Sequence, residues 1–132
     1  MKLENQVSNV ELSEELKKLG VPQNSLWYWY DAGNKFLISD VFNNPDNDTR
    51  RRMGLNKKDN RYYSAFTVAE LGEMLPVGSM SAQTKDKWQA WYHNYTIPET
   101  VNQAFWANTE ADARAKMLIY LIEQRIVKVE NL

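Results

Sequence analysis

Cysteine is absent from the 132-residue chain, which excludes disulfides and thiolate metal sites and suits a reducing compartment. Histidine occurs once, as His93, so any metal centre would have to rest mainly on carboxylates. The five glycines stand singly, and there is neither a glycine-rich phosphate loop nor a nucleophile elbow. No stretch approaches the roughly 18 uninterrupted apolar residues of a membrane span. Met1 to Gln6 lacks the apolar run of a signal peptide. These absences lead to the expectation of one soluble, cytoplasmic domain with no membrane partner and no cofactor.

Aromatic residues are plentiful, with five Trp and seven Tyr, enough for a core dominated by rings. Ser8 and Glu11 have the spacing of a capping box, and Ser13 offers a second helix start. Leu12, Leu16 and Leu19 then form a narrow apolar stripe that ends at Gly20 and Pro22. Leu26 to Tyr30 is dense in rings and reads as a strand, with Trp27 and Trp29 on one side and Tyr28 and Tyr30 on the other. Asp31 to Asn34 is turn chemistry, and Lys35 to Ser39 reads as the returning strand. Asp40 to about Arg61 shows no periodicity and reads as a long polar loop.

Structure resumes at Tyr62 to Phe66. Thr67 and Glu70 then form a capping box for a short helix stopped by Pro76. Lys87 to Tyr95 fits both strand alternation and helical spacing, and its length and ring content tip it to strand. Thr109 caps a final helix, Glu110 to about Gln124, with acids in its first turn and an apolar surface nearly all round its second half. Such a helix is a buried one, and Arg114 and Lys116 are expected to point to solvent. Gln124 to Val129 reads as a short closing strand. The pattern predicts an α+β fold: an antiparallel sheet of three or four strands, near 26–31, 35–39 and 87–93, covered by the C-terminal helix, with two short helices at its edges.

Two groups of residues are candidates for function. Arg50, Arg51, Arg52, Lys57, Lys58 and Arg61 are six cations within twelve residues that hold one acid, Asp59, a local net of +5. With the whole chain at −1, the other 120 residues carry −6. The functional reading is salt-sensitive phosphate contact with nucleic acid, and the plainer one is a solvated loop on an otherwise acidic domain that repels nucleic acid. Trp27, Trp29, Trp88 and Trp91 are candidates for an exposed interaction surface, although rings on a sheet are more often core.

Other constellations have ordinary explanations. Glu70 fits its capping role and Glu73 a solvated face, so neither points to acid–base catalysis. Asn44 to Asp48 alternates oxygen side chains like a calcium loop, but Thr49 stands where glycine is needed and Leu55 where the bidentate glutamate belongs. His93 on an aromatic strand reads as structural or exposed.

Three segments are familiar together: Leu16 to Gln23 with Leu26 to Trp29, Ala65 to Pro76, and Ala111 to Glu123. In them the chain resembles a group of small phage- and prophage-encoded proteins. The resemblance implies a bacterial or phage-derived, intracellular setting and brings no catalytic residue, cofactor or substrate with it. The leading expectation is therefore a non-enzymatic accessory or protein-interaction module that meets a protein partner or a second copy of itself. The alternative is a nucleic-acid-associated protein that uses the loop 50–61.

Overall fold

The structure, a computed structural model, describes residues 1–39, 61–93 and 103–132. A single 3-10 turn, Leu3–Asn5, precedes helix α1, Val10–Lys18. Strands β1 (Trp27–Asp31) and β2 (Lys35–Ser39) form the expected hairpin, in the register Trp27↔Ser39 to Asp31↔Lys35. Gly33 adopts φ +94° in its turn, where its N–H donates to Asp31 Oδ1 at 3.2 Å. Strand β3, Tyr62–Ser64, pairs antiparallel with the other side of β1, so the first sheet runs β2-β1-β3.

Helix α2, Val68–Met74, carries the capping box read from the sequence: Glu70 N–H donates to Thr67 Oγ1 and Thr67 N–H to Glu70 Oε1. Strands β4 (Ser79–Gln83), β5 (Trp88–Tyr92) and β6 (Ala104–Ala107) form a second antiparallel sheet, ordered β4-β5-β6. Helix α3, Glu110–Glu123, is capped by Thr109 and lies against the second sheet and against α1 and α2.

The α+β class and the packing of the C-terminal helix on a sheet are as expected, while the strands divide differently. The strand expected near 87–93 forms, as Trp88–Tyr92, but in a sheet separate from that of β1 and β2. Its partner β4, Ser-Met-Ser-Ala-Gln, has no run of strand-forming side chains to announce it; the pairing Ser79↔Tyr92 to Gln83↔Trp88 creates it.

The closing strand expected at 124–129 is absent. Arg125 takes a left-handed φ of 60°, and the N–H groups of Ile126 and Val127 turn back to Leu121 O at 2.9 and 3.1 Å. This is a helix-terminating geometry that consumes the donors a strand would need. A 3-10 turn, Val129–Asn131, follows.

The cap of α1 is also displaced. Asn9, and neither Ser8 nor Ser13, is the N-cap, accepting from Leu12 N–H at 2.9 Å. Ser8 has been drawn inside. Its N–H donates to Phe66 O at 2.8 Å and its Oγ accepts from Phe66 N–H at 3.0 Å, beside the bridge between Val7 and Thr67.

The main core gathers round α3. Ala111, Ala113 and Ala115 are fully buried and admit close neighbours, and Met117, Leu118 and Leu121 fill the space beyond them with Leu16, Phe66 and Leu71. Burying each of the larger side chains stabilises the fold by about 1.5–3 kcal/mol. The two faces of β1 serve separate clusters: Trp27 and Trp29 pack with Val7, Val10 and Ala65, and Tyr28 and Tyr30 with Tyr62. Among the described residues, no helix is long and apolar enough to cross a membrane.

Candidate binding cleft

Several chain ends converge beside the two sheets. The bridge between Val7 and Thr67 holds the N-terminal segment against the start of α2. Leu26 N–H donates to Glu70 Oε2 at 3.2 Å, which ties the entry of β1 to the same helix end. With Glu70 Oε1 on the Thr67 N–H, both oxygens of this carboxylate are committed to structure. Asp112 does the same for α3, taking Asn9 N–H at 2.8 Å and Asn9 Nδ2–H at 3.2 Å. Its pKa is raised, because burial of the carboxylate outweighs these hydrogen bonds.

What these ties leave open is a cleft of about 640 Å³. Met1, Leu3, Asn5 and Gln6 line it from the N-terminal segment, and Trp27 from the start of β1. Thr67, Val68 and Ala69 come from the start of α2, Gln83 and Trp88 from the closed end of the β4–β5 hairpin, and Asn108, Thr109 and Glu110 from the entry to α3. The volume falls within the roughly 300–1,000 Å³ of small-molecule sites.

One carboxylate in the cleft is held rigidly. Glu110 Oε1 accepts from Ser81 Oγ at 2.6 Å and from Arg114 Nη2 at 3.2 Å. Arg114 Nε also donates to Ser81 Oγ at 3.1 Å. Arg114 is therefore not solvated as expected: its side chain is 22% exposed and closes a three-residue network between α3 and β4. Lys116 is exposed, and its Nζ donates to Trp106 O at 2.7 Å on the outer strand β6.

The four tryptophans named from the sequence separate into three settings. Trp29 is buried, and its Nε1–H donates to Ser8 O at 2.8 Å, so it is part of the interior. Trp27 and Trp88, from different sheets and 61 positions apart in sequence, both line the cleft. Trp91 lies on the opposite face of β5, in one row with Met80 and Ala104. That outer face also presents Trp106; Met80 is 53% and Trp106 47% exposed.

Of the six cations, Arg50, Arg51, Arg52, Lys57 and Lys58 lie outside the described residues, as does the calcium-like run 44–48. Arg61 immediately precedes β3, with its guanidinium 5.7 Å from the centroid of the Tyr30 ring and Nη1 donating to Tyr30 OH at 3.5 Å. His93 follows β5, where its backbone N–H donates to Gly78 O at 3.4 Å. Among the described residues no three His, Cys, Asp or Glu side chains are grouped to hold a metal ion.

Sequence reasoning found the two tryptophans but not Asn5, Gln83 or Asn108. Each reads as an ordinary turn or surface residue, and only the meeting of five segments makes them neighbours.

Comparison with protein-family models, with curated proteins and with solved structures finds no match.

Proposed function

We propose that the protein is a non-enzymatic accessory or interaction module that binds through the cleft at Trp27 and Trp88, in the phage-derived, intracellular setting that the sequence resemblance implies. The observation that supports this reading is that the two indoles arrive from separate sheets at one concave surface with a fixed carboxylate beside them. Large aromatic faces next to convergent polar groups are what binding sites have in common. The carboxylates that acid–base chemistry would call on, Glu70, Glu110 and Asp112, each hold structural hydrogen bonds.

The test uses the indole N–H signals of the five tryptophans in a nitrogen–proton correlation spectrum. A screen of small neutral, cationic and anionic compounds and short peptides should yield ligands that move the Trp27 and Trp88 signals together and leave Trp29 in place. A screen in which no compound moves them, or in which all shifts centre on Trp91 and Trp106, would overturn the reading.

A second reading, self-association, is favoured by the uncharged row Met80, Trp91 and Ala104 beside Trp106 on the outer face of the second sheet.

A further inference from the structure

We infer that the cleft takes an uncharged, polyhydroxylated ring, a neutral sugar; this rests on the reading of the cleft as the binding site. Charge comes first. Among the described residues no Lys, Arg or His side chain lines the cleft. The first turn of α3, where the helix dipole favours negative charge, already carries Glu110 and Asp112. Phosphates and carboxylates would therefore enter against a carboxylate with no cationic side chain facing them, the Met1 amino group alone carrying positive charge among the lining residues. A cationic ligand fares little better, because the charge of Glu110 is already balanced by Arg114 at 3.2 Å. What remains favourable is a neutral molecule.

Hydrogen bonding then narrows the class. Glu110 Oε1 is occupied by Ser81 and Arg114, whereas Oε2 has no hydrogen bond among the described residues. The carboxylate is thus fixed in place with one strong acceptor open, suited to a hydroxyl donor. The side-chain amides of Asn5, Gln83 and Asn108 each add an acceptor and two donors. The indole N–H groups of Trp27 and Trp88 are also without a partner among the described residues, unlike that of Trp29. A sugar ring matches this set: its hydroxyls both donate and accept, and its C–H face packs on an indole.

A peptide fits less well. The cleft is lined by the ends of elements, with one residue each from β1, β4 and β5, so no length of strand backbone borders it for an added strand to pair with.

The experiment titrates the labelled protein with glucose, galactose, mannose, N-acetylglucosamine and their common disaccharides, following the five indole signals. Glucuronate, glucose 6-phosphate and glucosamine serve as charged counterparts. At least one neutral sugar should shift Trp27 and Trp88 saturably by about 10 mM, ten times a millimolar Kd. Its charged counterpart should bind at least tenfold more weakly. Trp88→Ala should abolish the shift at Trp27, and Gln83→Ala, a change at an exposed position, should weaken binding several-fold while the Trp29 signal stays in place. The inference is overturned if no neutral sugar shifts these signals, if the charged sugars bind equally well, or if both variants bind like the parent. A peptide or anion that moves Trp27 and Trp88 where sugars do not would also overturn it, yet leave the cleft standing as the binding site; shifts confined to Trp91 and Trp106 would remove both.

Discussion

Two buried serines show how differently one residue type can weigh. Ser8 is fully buried and engaged at every polar atom: it exchanges two hydrogen bonds with Phe66, meets Ser13 Oγ at 2.7 Å and accepts Trp29 Nε1–H on its carbonyl. Ser64 is equally buried, and its hydroxyl has no partner among the described residues. Ser8→Ala leaves the Phe66 N–H without its acceptor and should cost about 1–3 kcal/mol, whereas Ser64→Ala removes an unsatisfied hydroxyl and should be neutral or slightly stabilising. Urea midpoints of the two variants check the contrast; equal losses would contradict it. Asp112 supplies a pH test at the same scale. Its folded pKa lies above the ordinary value of 3.8, so the folded state binds the proton more readily than the unfolded chain. Its contribution is fully present below the unfolded value and is lost as pH rises through the raised one. The stability of the parent relative to Asp112→Asn should therefore grow as pH falls from 7 toward 4, measured by denaturant melts across that range. A difference that shrinks over this interval would contradict the sign.

Elements with local signals formed where the sequence placed them. The capping box at Thr67 and Glu70, the Thr109 cap and the Asp31–Asn34 turn all act within a few residues, so the chain announces them directly. Elements that depend on a distant partner did not announce themselves. The strand β4 exists because β5 pairs with it, and α1 starts at Val10 because Ser8 is claimed by Phe66. The end of α3 has its own test. Arg125 occupies a left-handed backbone position, φ 60°, that glycine adopts without a Cβ clash. Arg125→Gly should raise the stability by about 0.5–1 kcal/mol, the strain relieved exceeding the added freedom of the unfolded chain. A lowered melting temperature would mean that the Arg125 side chain contributes more than its backbone costs.

At the scale of the molecule, α3 joins parts that would otherwise be thin. Each three-stranded sheet needs a covering layer to be stable, and α3 covers the second sheet while α1 and the N-terminal segment cover the Trp face of the first. The outer face of the second sheet is left apolar. Three short strands span only about 15 by 17 Å, so two copies meeting there would bury well under the roughly 1,200 Å² of a stable interface. Self-association through Met80, Trp91 and Trp106 should therefore be weak and appear only at high concentration. Sedimentation velocity over a concentration series should show a monomer at low micromolar levels, and Trp106→Ser should remove any association above them. A tight dimer that survives this substitution would locate self-association elsewhere.

Legibility followed the range of the interactions. The α+β class, the hairpin of β1 and β2, the two capped helices and the burial of α3 were all determined by the sequence itself, because caps, turns and apolar periodicity act over three to seven residues. The cleft was not. Trp27 and Trp88 could be named as candidates, but their shared wall, the removal of Trp29 to the interior and the tie of Ser81 to Glu110 and Arg114 arise from contacts across 20 or more residues. Nothing in a local pattern encodes which ends will meet. The tertiary packing around α3 decided that, by bringing the starts of two helices and the ends of two sheets to one place.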